Sequence, residues 1–271
     1  RFGLMEEFQD KSDPNNKIPD DVSIAAEFFK ISSKEKDLII TQRQTAVDQD
    51  KYWGFNTTQT SVAVSLFMKR TKLSYYELLE LLLVKFVNNP AAPPMSKIER
   101  PIDTCDTDMQ AVINLTLPKF DLMHRFIRLW RKTGWKMWEL DLLLRNSKIG
   151  NNVINGDTLA NLKRFKQLQE KLILPFETLL AFFGDINREI RIKPDKPDVI
   201  IQPLYNILFQ NQAVTNPVDV YFKAIDNNNA PIPLDAAIIF GVNAAAPYNG
   251  YTPVPTILSS LALRQPDFEL L

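Results

Sequence analysis

The sequence predicts a mainly α-helical fold, an irregular stack of helical hairpins joined by long Pro/Asn-rich loops, with little or no β structure. Two observations predict this class. Apolar residues recur at three- and four-residue spacing on both sides of short turns, as in paired amphipathic helices. The segments between these pairs are polar and contain most of the 18 prolines, which interrupt regular structure. The copies are unevenly spaced, so repeat families of fixed period do not fit.

The first helical hairpin is predicted near residues 59–86, with its turn at residues 71–74. Ser74 and Glu77 have the S-x-x-E spacing of a capping box, in which the two side chains satisfy backbone donors at the start of a helix. The second helix of this hairpin is therefore expected to begin directly after Ser74. Apolar residues at helical spacing occupy both helices: Leu66, Phe67, Leu78, Leu81 and Leu82.

The second hairpin is predicted near residues 119–146, which contain "RFIRLWRKTGWKMWELDLLLR". It is expected to divide at Gly134, because glycine readily adopts the left-handed conformation that closes a helix. Aligning Leu73 of the first hairpin with Trp135 also aligns Glu77 with Glu139, which indicates an internal repeat. Trp135 and Trp138 flank the turn and are expected to lock the two helices together.

A third hairpin is predicted near residues 157–184, and a fragment of a fourth near 255–271. Asp157 is the expected N-cap of the third hairpin. Pro175 is expected in the first turn of its second helix, where proline is tolerated. The apolar positions that correspond to the core leucines of the first hairpin are Leu179, Phe182 and Phe183.

The loop-rich insertions are residues 88–108, 187–203 and 227–255. Val199–Ile201 is a candidate strand within the second of them, and all three are expected to pack on the helices because they are partly apolar. The whole of 1–271 is predicted to be one α-helical domain. Since the chain has no starting Met and stops in an uncapped apolar pattern, it is interpreted as a fragment of a much larger chain.

Composition argues against several function classes. The 32 Lys+Arg balance the 32 Asp+Glu, whereas a dedicated nucleic-acid binder needs a basic excess on one face. The single cysteine, Cys105, excludes an intrachain disulfide and is expected to be an unreactive thiol. No signal peptide is visible, and no apolar run approaches the roughly 20 residues of a membrane helix, so no membrane insertion by this segment is expected.

No catalytic, cofactor-binding or metal-binding residues are predicted, no cofactor is expected, and the protein is not predicted to be an enzyme. The only histidine, His124, has no Cys, Asp or Glu three or four residues later on its helix, whereas a zinc site needs three or four ligands. Phosphate-binding, dinucleotide-binding and hydrolase motifs are missing. The segment "AIDNNNAP" (224–231) lacks the glycine and final Glu of a calcium loop. Asp20-Asp21 are expected at a helix start, where the dipole favours acids.

Residues 125–148 contain seven Lys/Arg against two Asp/Glu. Arg125, Arg128 and Lys132 fall on one helical face, opposite much of the Phe126 and Trp130 face. The interpretation adopted is an amphipathic helix with a buried aromatic side and a solvated basic side. The alternatives are a basic surface that meets an acidic neighbouring subunit or domain, and a lipid-binding or nucleic-acid-binding surface.

Several long motifs, in order, resemble one protein family, the A component of the Tc (toxin complex) insecticidal toxins, which includes the Salmonella virulence plasmid A-protein type sequences. The resembling segments are residues 103–145, "LILPFETLLAFFGDINREIR" (172–191), "QPLYNILFQNQAVTNPVDVYF" (202–222) and "ILSSLALRQPDFEL" (257–270). The "LY…LF…NP" pattern of the family corresponds to Leu204, Tyr205, Leu208, Phe209, Asn216 and Pro217. The resemblance covers roughly residues 50–271.

The resemblance implies a non-enzymatic structural role. In that family the A component is a large pentamer, with an α-helical shell around a central α-helical channel, that binds target cells and translocates a toxic cargo. The hairpins here are similar to shell segments. A parent chain would accordingly form a homopentamer, meet the B–C cargo cocoon and a host cell-surface receptor through other regions, and be secreted or released from a bacterium. The alternative is a free-standing α-helical interaction module with the same fold.

Overall fold

A computed structural model describes residues 20–100, 105–184, 186–213 and 258–262, together with positions 216, 222 and 266. The described part is mainly α-helical, with ten α-helices whose bounds follow, five short strands, and further helical residues at 258–260. The chain divides into two compact units, Arg1–Leu174 and Pro175–Leu271, where the sequence predicted one domain. The boundary falls inside the third predicted hairpin.

The first unit contains eight described α-helices and a small antiparallel sheet. The helices are α1 Asp21–Phe28, α2 Ser33–Ile40, α3 Ala46–Trp53, α4 Val64–Thr71, α5 Tyr75–Leu83, α6 Leu117–Thr133, α7 Met137–Arg145 and α8 Gly156–Leu172. The strands are β1 Ser61–Ala63, β2 Lys97–Glu99 and β3 Ala111–Ile113, in the order β1-β3-β2, and a 3₁₀ turn covers Thr107–Met109. Thus β1 and β2 lie within segments predicted as hairpin and loop.

A left-handed residue ends a helix at each of the two turns that the sequence predicts. Lys72 (φ 58°) ends α4 and Gly134 (φ 72°) ends α6, both in the left-handed conformation. The capping box at the start of α5 is confirmed: Glu77 N–H donates to Ser74 Oγ (3.2 Å), and Ser74 N–H donates to the Glu77 carboxylate (2.7 Å). Asp20 caps α1 by accepting from Ser23 N–H (2.7 Å), and hydrogen bonding from the Ser23 side chain, followed by this backbone bond, lowers the pKa of Asp20.

Helix α6 lies at the centre of the first unit. It packs against α2 and α3, and Phe120, Met123 and Phe126 on α6 are fully buried. The Trp53 ring of α3 lies 5.2 Å from the Phe120 ring, measured between centroids. This packing brings Glu35 of α2 and Tyr52 of α3 close to the basic stretch of α6, and a bond from Arg131 to the Thr71 carbonyl joins the end of α4 to the same stretch.

Trp135 is buried, but its main partners lie outside the hairpin that it opens. Its indole N–H donates to Gln169 of α8 (2.9 Å), and its ring meets Phe165 edge-on at 6.0 Å. Phe29, directly after α1, also contacts it at 6.2 Å between ring centroids. The expectation that Trp135 locks α6 against α7 is therefore incomplete, because the ring joins the turn to α8 and the end of α1.

The second unit contains α9 Phe176–Ala181, the antiparallel strands β4 Arg191–Lys193 and β5 Lys196–Ile201, and α10 Leu204–Phe209. Glu177 ties these elements together, since its carboxylate pairs with Arg191 (2.6 Å) and accepts from Leu204 N–H (2.7 Å). Tyr205, Phe209 and Phe222 form a buried aromatic cluster. The candidate strand Val199–Ile201 is confirmed as the end of β5, and the 187–203 loop is thereby largely a β-hairpin.

Three details of the third predicted hairpin are wrong. Its N-cap is Asn155, which accepts from Thr158 N–H (2.9 Å), and not Asp157. Pro175 is the N-cap of α9 and lies just before the first turn. Because α9 ends at Ala181, Phe182 leaves the helical period and is 75 % exposed. The 227–255 loop, the 224–231 segment and most of 255–271 lie outside the described residues.

Candidate functional site

Arg125 is buried in a network in which its charge is matched. Its Nη1 pairs with Asp121 one turn earlier (3.1 Å), and its Nε donates to the Ile39 carbonyl (2.7 Å). Its Nη2 donates to the carbonyls of Ile40 (3.2 Å) and Ile154. The prediction that Arg125 belongs to a solvated basic face is wrong, because Asp121 and three carbonyls compensate its removal from water.

Asp121 also binds a backbone N–H, and Asp141 of α7 makes the same pair of contacts, one with an arginine and one with a backbone N–H. Asp121 also accepts from the backbone N–H of Arg43 (2.9 Å). Asp141 pairs with Arg145 (3.1 Å) and accepts from the backbone N–H of Phe86 (2.7 Å). In both cases a buried Asp, paired with the Arg four residues later, fixes a segment from an earlier part of the chain.

A second cluster of basic residues surrounds an open cleft of about 190 Å³ in the first unit. Four elements supply its lining, which consists of Glu35 of α2, Tyr52 and Trp53 of α3, Arg70 and Thr71 of α4, and His124, Ile127, Arg128, Arg131 and Lys132 of α6. Four cationic side chains therefore share the cleft with a single carboxylate.

The three arginines of the cleft are held by neutral acceptors. Arg70 donates to the Gly54 carbonyl (3.0 Å), and Arg131 donates to the Thr71 carbonyl. Arg128 Nε donates to His124 Nε2 (2.8 Å). None of the three forms an ion pair with a carboxylate in the part of the chain that the structure describes. Their orientation is thus fixed while their charge stays uncompensated.

His124 is a half-buried residue of α6, and it is neutral near pH 7. Burial, followed by the positive charges of Arg128, Arg43 and Arg125, lowers its pKa to about 3. Its Nε2 can therefore accept the hydrogen bond from Arg128. The Tyr52 ring lies against the imidazole at 5.1 Å between centroids.

Burial also lowers the pKa of Arg128, and the neighbouring Arg131 and Arg43 act in the same direction, while Glu35 opposes them. Glu35 itself pairs with Lys132 (2.8 Å). Trp53 also lines the cleft, and its buried indole N–H has no hydrogen-bond partner among the described residues. The cleft therefore offers hydrogen-bond donors and positive charge, which is the chemistry of an anion site.

The sequence singled out the α6 part of this cleft and missed the rest. Tyr52, Arg70 and Glu35 lie 54 to 89 residues before His124 in the chain, and no local pattern links them to α6. One other expectation needs correction, since Trp130 and Trp138 are half-buried and not core residues. Cys105 is exposed.

No group of three or more His, Cys, Asp or Glu within the described ranges could hold a metal ion. Among the helices described, none is long and apolar enough to cross a bilayer. Comparison of the chain with protein-family models, with curated proteins and with solved structures gives no match.

Proposed function

We propose that the chain is a structural, non-enzymatic part of the α-helical shell of a Tc-type toxin A subunit. The observation that carries the proposal is the ordered set of sequence motifs over residues 50–271 that resembles this family. In the proposal, the toxic activity belongs to the complete assembly, and this segment supplies scaffold.

The described architecture is compatible with a stack of helical hairpins. The pairs α4/α5 and α6/α7 each join two helices through a left-handed residue. The second helices of the two pairs, α5 and α7, pack against each other, as equivalent helices of stacked hairpins do. The buried bond from Phe86 N–H to Asp141 joins α7 to the chain just before the 88–108 connector, which supports the proposed stacking.

In this proposal the parent chain forms a homopentamer and is secreted or released from a bacterium. Its contacts with a B–C cargo cocoon and with a host receptor lie in other regions. The proposal assigns this segment no cofactor, no nucleic acid and no direct insertion into a membrane.

Negative-stain electron microscopy of the full-length product of the parent gene tests the proposal. Large bell-shaped particles with a central shaft are expected. Small monomeric particles without a shaft would contradict it and favour the free-standing interaction module.

A further inference from the structure

The cleft bounded by α2, α3, α4 and α6 combines three features that a purely structural surface does not require. It gathers four cations around one carboxylate, it holds three arginines by neutral acceptors, and one of its lining residues, Trp53, has a buried indole N–H that lacks an acceptor among the described residues. We propose that this cleft binds a small oxyanion, a phosphate or carboxylate group, with Arg128 as its main ligand.

Arg128 has the geometry for this role. Its Nε is used by His124 (2.8 Å), and this bond orients the planar guanidinium. The two Nη groups have no acceptor in the described part of the chain, and such a pair of donors matches two oxygens of a phosphate or carboxylate. Because His124 is neutral, the bond that orients Arg128 does not neutralise it.

The remaining cations, Arg70, Arg131 and Lys132, form the rim of the cleft and make its electrostatic potential positive. Arg70 and Arg131 are exposed, and each uses one guanidinium nitrogen on a backbone carbonyl, which leaves other N–H groups for a ligand. Lys132 Nζ forms an ion pair with the Glu35 carboxylate at 2.8 Å. An anion bound beside Arg128 would therefore meet a surplus of positive charge that the protein leaves unmatched.

The size of the cleft limits the class of ligand. A volume of about 190 Å³ corresponds to roughly six waters at about 30 Å³ each. This space accepts inorganic phosphate, pyrophosphate or a small polycarboxylate. The tyrosine and tryptophan rings on the α3 side add apolar contact for any short carbon portion of the ligand.

Isothermal titration of the complete 271-residue chain with pyrophosphate and, separately, with citrate tests the proposal at low ionic strength. Saturable one-to-one binding of at least one of them is expected. Binding of pyrophosphate alone identifies a phosphate site, binding of citrate alone identifies a carboxylate site, and binding of both identifies a general oxyanion site. If neither binds, the proposal is wrong.

Three variants, each of which removes one positive charge, test whether the anion binds in the cleft. Arg128→Ala should weaken binding about tenfold or more, since a charge-assisted hydrogen-bonded contact is lost. Arg70→Ala, at the exposed rim, should weaken it severalfold and serves if Arg128→Ala fails to fold. The control is Arg164→Ala, whose partner Asp21 is exposed and lies outside the cleft. Equal weakening in the control and in the two cleft variants would mean non-specific charge attraction and would overturn the site.

Nuclear magnetic resonance gives an independent readout, because the chain has one histidine and four tryptophans. Pyrophosphate or citrate should shift the His124 ring signals and the Trp53 indole N–H signal. The Trp135 indole, which is bonded to Gln169, should stay in place. Shifts at Trp135 with none at Trp53 and His124 would place the ligand elsewhere and contradict the proposal.

Discussion

Arg125 and Arg128 lie about one helical turn apart on α6, but they differ in burial and in charge compensation. Arg125 is only 5 % exposed and faces Asp121 and three backbone carbonyls. Arg128 is half-buried and bonds a neutral imidazole. Removal of a compensated buried charge damages the fold, whereas an uncompensated cation near the surface is available to a ligand. The comparison therefore separates an arginine that serves folding from one that can serve binding.

The largest expected effect is at the Arg125 network. Arg125→Ala should lower the free energy of unfolding by about 3–5 kcal/mol, because Asp121 becomes a buried charge without its partner. Urea denaturation followed by circular dichroism measures this loss. The control Arg164→Ala removes an exposed ion pair and should cost less than about 1 kcal/mol. Similar losses of unfolding free energy in both variants would contradict the proposed difference between a buried and an exposed ion pair.

Replacing both partners sharpens the same test. The double variant Asp121→Leu/Arg125→Met should recover a large part of the stability that Arg125→Ala loses, since no unpaired charge remains. Recovery will be incomplete, because Asp121 also accepts from Arg43 N–H and Arg125 also donates to the Ile39 carbonyl. A double variant less stable than Arg125→Ala would show that these backbone bonds outweigh the ion pair.

An intermediate effect is expected from pH, through His124. Its pKa is lowered to about 3 in the folded protein, so the unfolded chain binds a proton first as pH falls through about 6.5. Stability is complete above that pH and decreases below it, by about 2 kcal/mol at pH 5. Positive charges outnumber negative ones around the imidazole, and this excess favours a lowered pKa for His124. The charged and titratable groups there are Glu35, Arg43, Tyr52, Arg70, Arg125, Arg128, Arg131 and Lys132.

Urea denaturation of the wild type and of His124→Gln across pH 8 to pH 5 measures the effect. Glutamine keeps an acceptor for Arg128 but does not titrate, and His124 is the only histidine. The variant should therefore show a much flatter profile in this window. Equal slopes in the two proteins would show that burial of the imidazole does not govern this loss.

The smallest expected effect is at Arg128. Arg128→Ala should change the free energy of unfolding by less than about 0.5 kcal/mol, since the lost hydrogen bond is offset by relief from neighbouring cations. Added salt should raise the melting temperature of the wild type more than that of the variant, because salt screens repulsion in the cleft. Scanning calorimetry at several salt concentrations tests this, and a loss as large as that of Arg125→Ala would remove the distinction between the two arginines.

The features that the sequence predicted correctly depend on neighbouring residues. The Ser74–Glu77 box and the turn at Gly134 follow from short-range backbone chemistry, and the structure contains both. The i, i+4 spacing of Asp121 and Arg125 is compatible with an ion pair, but the helical period alone places Arg125 on the basic, solvated face. Its burial depends on carbonyls at Ile39 and Ile154, whose proximity is a property of the tertiary fold.

The cleft could not be predicted for the same reason. Tyr52 and Arg70 reach α6 only because α3 packs on α6 and Arg70 is held by Gly54. The burial of the tryptophans was also hard to predict. A helical period indicates which side of a helix is buried, but it does not show where the buried side ends. Trp135 is buried against α8, whereas Trp130, assigned to the same core by spacing, is half-buried.

Two of the carboxylates that accept from backbone N–H groups indicate where this chain can tolerate insertions and deletions. Asp141 fixes the chain at Phe86, and Glu177 fixes it at Leu204, which are the positions just before the 88–108 connector and just after the 187–203 connector. Residues could be inserted or deleted between such anchor points without shifting the helices, at a loop-closure cost that grows only slowly with length. The uneven spacing of the helical pairs is then an expected outcome of divergence, and the parts of these two connectors outside the strands β2, β4 and β5 are the natural places to insert a tag or a reporter domain.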